Sequence, residues 1–458
     1  MIGKTALLMV CVSVLWGCTT PSPTPVSTPQ PTETIGRESL KTFPERSGRV
    51  AQRSNTEMAQ DFLDLSFQLE SGRPLPFMTR FDGPIRIRVA GSPTPTLSGD
   101  LDRLITRLRR EARLDIARST AGSAEIVVEA LPTATLKRYA PEAACFVVPN
   151  VSGFEDYKRK RRTDEANWAL LTERRKASIF LPSDQSPQEI RDCLHEEIAQ
   201  AIGPLNDLYR LPDSVFNDDN YHTVLTGFDM LMLRTYYAPE LSNRMTKSEA
   251  AKVVPRILAR YNQRGQQISG RPPAPTPRAW IDAIEIALGA NSFTPLRRSS
   301  AQKAVQIAAE AGWSDTRRGL SHDVFGRLSL AQRPDVALTS FLTAHRLYRA
   351  SPVTDVQTAH VALQLAAATL SAGQSEETLA LVTPSIRIAE RAENASLLAT
   401  LLMLKSAALT LQGRDAEAQA ARLDSFGWGL YGLGSERAVQ ARWDEVRALS
   451  PRSQGETG

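Results

Sequence analysis

Apolar residues recur with two different periods along the chain, and the change of period divides it. Ile85, Ile87 and Val89 alternate with Arg86 and Arg88, which predicts a strand. Three further short apolar runs, 125–129, 145–148 and 177–181, are read as strands. Between them lie helical spacings: an amphipathic pattern over 61–69, and Leu101, Leu104, Ile105 and Leu108 within 101–114. Ser186-Pro187-Gln188-Glu189 has the N-cap serine, first-turn proline and third-position glutamate of a helix start. That helix is predicted to run to about Ile202 and stop at Gly203-Pro204. The expected fold class is therefore α+β for residues 56–263.

A glycine- and proline-containing stretch, 264–278, reads as a linker, and 279–458 is helical in pattern throughout. Gly373-Gln374-Ser375-Glu376-Glu377 and Gly413-Arg414-Asp415-Ala416-Glu417 look alike, with a weaker copy at Gln332-Arg333-Pro334-Asp335. Spacings near 40 suggest stacked helical hairpins like tetratricopeptide-type repeats; a non-repeating bundle is the alternative. Four glycines, Gly427, Gly429, Gly432 and Gly434, are predicted to break the last helical pattern. They would leave Trp428 and Tyr431 on an irregular segment, either as partner contacts or as a cap on the last hairpin.

The N-terminus changes the picture. Lys4 precedes an apolar run over 6–15, shorter than the about 20 residues a membrane span needs. Leu15-Trp16-Gly17-Cys18 then resembles the bacterial lipobox. The resemblance implies a signal peptide over 1–17, lipidation of Cys18, and a Pro/Thr-rich tether within 18–55. Thr19 follows the cysteine where an aspartate would favour inner-membrane retention, so an outer-membrane anchor facing the periplasm is expected. Of the two cysteines left, Cys145 and Cys193, an oxidising compartment favours a disulfide; two buried thiols are the alternative. A net charge of +5 over 458 residues gives no case for nucleic-acid binding. The basic run Lys158–Arg159–Lys160–Arg161–Arg162 reads as a solvated face, or as a contact for anionic lipid or polysaccharide.

The candidate chemistry lies in residues 193–207, Cys-Leu-His-Glu-Glu-Ile-Ala-Gln-Ala-Ile-Gly-Pro-Leu-Asn-Asp. This stretch resembles the metzincin motif His-Glu-x-x-His-x-x-Gly-x-x-His/Asp in spacing. Glu196 falls on the first ligand, Glu197 on the general base, Gln200 on the second ligand, Gly203 on the turn and Asn206 on the third ligand. No histidine is kept. The other register, starting at His195, would put Ala199 on a ligand position, and His195 is read as a helix-surface residue. Glu196, Gln200 and Gly203 share one helix face, while Ile190, Leu194, Ile198 and Ala201 form the apolar face opposite.

With the lipobox, the strand near 81–89 and this Glu-Glu-x-x-Gln stretch, the chain is similar over roughly 60–260 to a bacterial lipoprotein family catalogued as domain of unknown function 2927. The resemblance implies a zincin-like fold and supplies no substrate. No cofactor is expected. Glu196, Gln200 and Asn206 would make a poor zinc site, and calcium wants six or more oxygens. Glu196, Glu197, Gln200, Asn206 and Asp207 are therefore cleft candidates, open to three readings: a closed polar cluster, a binding cleft, or an unusual metal site. The function expected is that of a non-catalytic pseudo-metallopeptidase binding a peptide, a glycan or an envelope protein. A hydrolase using Glu197 is the alternative.

Overall fold

The computed structural model describes residues 40–44, 48–49, 51–119, 122–141, 143–289 and 292–451. Cys18 and the lipobox lie outside the described residues. The first element, α1 (Asn55–Ser66), starts at a Ser54–Glu57 capping box. The strand β1 (Ile85–Gly91) leads through α2 (Leu97–Glu111) to a parallel neighbour, β2 (Ile116–Arg118). β3 (Ile126–Leu131) is followed by α3 (Thr133–Tyr139), β4 (Phe146–Pro149), α4 (Phe154–Lys160) and β5 (Ala177–Pro182). The five strands form one sheet in the order β2-β1-β3-β5-β4. All neighbours are parallel except β4, which runs antiparallel to β5 at the edge. Each of the four expected strands is present; β2 is additional.

Period-two alternation sorts the sheet's two faces. Ile179 and Leu181 of β5 join Ile87, Val128, Leu104 and Ile198 in the large core, whereas Phe180 between them packs with Phe154 and Tyr157 on the other face. Helix α5 (Pro187–Ile202) follows β5 and has the expected capping box at Ser186 and Glu189. Its apolar face is buried as predicted: Ile190, Leu194, Ile198 and Ala201 are at most 1% exposed. Cys145 and Cys193 form a disulfide with Cα atoms 6.0 Å apart, tying α5 to the residue just before β4. After α5 come α6 (Gly227–Tyr236), α7 (Lys247–Tyr261) and the single turn α8 (Gln263–Gln266).

The remainder is helical: α9 (Arg278–Leu288), α10 (Thr294–Glu310), α11 (Thr316–Ser329), α12 (Pro334–Arg349), α13 (Asp355–Ser371), α14 (Ser375–Arg391), α15 (Ala395–Leu411), α16 (Asp415–Leu433) and α17 (Glu436–Leu449), each packed on the next. The turns at Gly373 and Gly413 place those glycines at positive φ, 73° and 69°. The expectation of an irregular segment after Gly427 is corrected: α16 runs unbroken to Leu433. Glycine lowers helix propensity, but a Cβ on Gly432 would stand 2.4 Å from the Ser396 backbone nitrogen. The close packing of α16 on α15 offsets that loss. Tyr431 is buried and donates its hydroxyl to Asp100 Oδ1 of α2 at 2.9 Å.

The two regions share buried contacts, and the described part of Ser39–Gly458 is one compact unit. Gln188 of α5 donates to Asn394 at 3.1 Å and accepts from Ser396 N–H at 2.9 Å. Tyr221 donates to Asp323 at 2.7 Å. The end of the stretch assigned to the tether is also part of the fold, because Phe43 is buried and stacks on Trp428 with ring centroids 4.4 Å apart. No helix among the described residues is long and apolar enough to cross a membrane.

Candidate functional site

Two devices fix the C-terminal end of α5. The last carbonyls of a helix lack partners within it. Here the buried Arg174 supplies them, donating to the carbonyls of Gln200 and Ala201 at 2.8 Å each and of Gly203 at 2.6 Å. A cation at a helix C-terminus also meets the favourable end of the dipole. Gly203 lets α6 pack closely, since a Cβ there would lie 2.5 Å from Leu233 Cδ2 and 3.0 Å from the Ala199 carbonyl oxygen. Arg174 carried no motif in the sequence; only the folded chain brings it under the helix.

The polar side of α5 meets carboxyls from two other segments. Gln200 donates its amide to Glu70 Oε1 at 3.0 Å, from the turn after α1. Asn206 is buried and donates to the Asp64 carbonyl at 2.9 Å. The two amides that align with ligand positions are thus engaged with the α1 region. Glu196 is half-buried and Glu197 is 4% exposed; Glu197 Oε2 and Asp207 Oδ1 are buried without a hydrogen-bond partner. Asp218 accepts from the Tyr209 hydroxyl at 2.6 Å.

These carboxyls hold one another's protons. Burial, then Glu70, Asp218 and Asp192, pushes Glu196 up to about 7. Burial, then Glu196 and Glu70, holds Glu197 well above the carboxylate range. Asp207 is raised likewise, by burial first and then by Glu70, Glu196, Asp218 and Glu197. Desolvation also raises Glu70 and Asp218, opposed by the Gln200 and Tyr209 hydrogen bonds respectively. Desolvation and like charge act in the same direction. Such a cluster can hold or release protons near neutrality and can receive a cation. Glu70 and Asp218 were not legible as site residues in the sequence.

The donors do not fit zinc. The ligand-aligned positions offer one carboxylate and two amides, with no imidazole or thiolate. Among the described residues no group of three His, Cys, Asp or Glu side chains is placed to hold a metal ion. His195 corrects the surface expectation: it is 4% exposed, and its Nδ1 accepts the Leu225 N–H at 3.2 Å. Burial, then Arg107, Arg191 and Arg103, keeps it neutral. The imidazole serves the packing of α5 against the loop before α6.

No curated protein and no solved structure matches the chain. Residues 55–256, from the start of α1 into α7, match the model of a family described as protein of unknown function (DUF2927), in agreement with the resemblance read over 60–260.

Proposed function

We propose that the protein is a lipid-anchored envelope lipoprotein whose first region is a zincin-like domain used for binding or scaffolding, without zinc-dependent catalysis. The observation that carries this reading is the engagement of Gln200 by Glu70 and of Asn206 by the Asp64 carbonyl. Positions where a peptidase needs free imidazoles hold amides built into the α1 region. Support for the zincin-like fold comes from a mostly parallel sheet with one antiparallel edge strand and a long helix after β5 that bears the motif. The anchor would be lipid on Cys18, with the protein on the outer membrane facing the periplasm. The helical region would form tetratricopeptide-like hairpins that bind a protein partner. Metal analysis of protein purified without chelator, with a casein cleavage assay, tests the reading.

One observation favours a second reading. Glu197 Oε2 is buried and unpartnered, with its proton held above the usual range, as in carboxyls used for general acid–base work. A hydrolase using Glu197 would lose activity in Glu197→Gln; the binding module would have none to lose.

A further inference from the structure

A cavity lies where the two regions meet, between α2, α5, the turn before α15 and the N-terminal segment, which contributes Pro44 to its wall. Its polar lining is deep: Asp100, Arg107, Arg191 and His195 are at most 5% exposed, with the more open Arg103 beside them. Arg107 commits Nε and Nη2 to Glu111 and the Leu225 carbonyl. Arg191 commits Nε and Nη2 to Asp192 and the Glu393 carbonyl. Nη1 of each makes no hydrogen bond among the described residues; that of Arg191 lies 3.9 Å from Glu393 Oε2. His195 accepts at Nδ1, which leaves its proton on Nε2, and Nε2 has no partner among the described residues. The charged groups acting on this imidazole are Arg107, Arg191 and Arg103, with no carboxylate among them. Asp100 supplies the opposite character. Its Oδ1 accepts from the Tyr431 hydroxyl at 2.9 Å and from Arg103, whereas Oδ2 is buried without a partner.

We propose that this cavity binds inorganic hydrogen phosphate. Guanidinium and imidazole N–H groups left over from the fold are donors, and guanidinium geometry suits an oxyanion. An oxyanion without a proton would also face Asp100 Oδ2, a buried acceptor that needs a donor. Inorganic phosphate keeps an O–H at neutral and mildly basic pH. That hydroxyl donates to Asp100 Oδ2, while the remaining oxygens accept from the Nη1 groups and from His195 Nε2. Sulfate has the same shape but no proton, so acceptor would meet acceptor. A phosphate monoester, with a second pKa of about 6, has none either at pH 8. The inference does not depend on the zincin-like reading, because Arg191 and His195 stand one turn apart on a face of α5 other than that of Glu196 and Gln200.

The test is calorimetric titration of the intact protein in detergent at pH 8, in a chloride-free buffer. The probes are sodium phosphate, sodium sulfate, glycerol 3-phosphate and sodium chloride. Saturable binding of phosphate is expected, at least tenfold tighter than any of the other three. Asp100→Asn keeps an oxygen for Tyr431 and Arg103 and puts an NH2 donor where Oδ2 was. It should weaken phosphate at least tenfold relative to sulfate, so that the preference is lost or reversed. Arg103→Gln, at the more open position, should weaken phosphate in a protein that stays folded. No saturable phosphate binding overturns the proposal, as does equal binding of any other probe. A folded Asp100→Asn protein that still prefers phosphate to sulfate overturns it too. If that variant does not fold, unchanged phosphate affinity in folded Arg103→Gln decides against the site.

Discussion

Gln200 of α5 and Glu70 of the turn after α1 are joined at 3.0 Å although 130 residues separate them in sequence. The pair occupies the helix position that a metal-binding imidazole would need. If the backbone nevertheless keeps zincin-like geometry, Glu196→His with Gln200→His should create a two-imidazole zinc site, since residues four apart share a helix face. Zinc content of the double variant should approach one per chain where the parent has little. A variant that folds and takes up no zinc would count against the zincin-like placement of α5.

Glu197 sets a pH dependence. Its proton is held well above 4.5 in the folded chain and is lost near that value on unfolding. The folded state therefore binds more protons between those limits, and its stability falls as pH rises through them. Glu197→Gln removes the charge in a similar shape. The variant should match the parent near pH 4 and melt higher by about 2–4 °C at pH 8. An equal or lower melting temperature at pH 8 would mean that Glu197 is charged and satisfied.

The Cys145–Cys193 bridge closes a loop of 48 residues. By chain-entropy arithmetic it contributes about 4 kcal/mol at 25 °C. The Cys145→Ser/Cys193→Ser protein should lose most of that in urea unfolding, and α5 amides should exchange faster. Peptide mapping without reductant should recover the linked pair; two freely alkylated thiols would rule the bridge out.

Gln188 spans the junction between the two regions, through Asn394 and the Ser396 N–H. Gln188→Ala strands the Ser396 N–H, while Asn394 keeps its bonds from Leu397 N–H and the Ser396 hydroxyl, and should destabilise the protein by about 1–3 kcal/mol. A fragment over 279–458 should be strongly helical and melt cooperatively, but below the full chain, because the Tyr431 hydroxyl and the Ser396 N–H lose their partners on α2 and α5. A fragment as stable as the full chain would make the junction energetically idle.

Cys18→Ser should abolish labelling by radioactive palmitate and free the protein from membranes or leave it uncleaved. Absence of label in the parent would remove the anchor from the account.

Much of the scaffold was legible because it obeys local rules. Alternation marked β1, and short apolar runs marked β3, β4 and β5. A capping box marked α5 to within a residue. β2 escaped because Ile116-Ala117-Arg118 is too short to show a period. α16 escaped because helix propensity counts its glycines as breaks, while the contact with Ser396 that favours them comes from another helix. His195 looked exposed because nothing local reveals the Leu225 N–H that approaches it. At the site, the sequence supplied Glu196, Glu197, Gln200, Asn206 and Asp207 through spacing alone. Glu70, Asp218 and Arg174 arrive through tertiary folding and carry no spacing signal.

We propose that this domain performs no zinc-dependent chemistry. The most direct test is metal content by mass spectrometry on protein purified without chelator, read together with casein cleavage by the parent and by Glu197→Gln. The account predicts zinc well below one per chain and no cleavage by either protein. One zinc per chain, with cleavage that Glu197→Gln abolishes, would contradict it and establish a hydrolase.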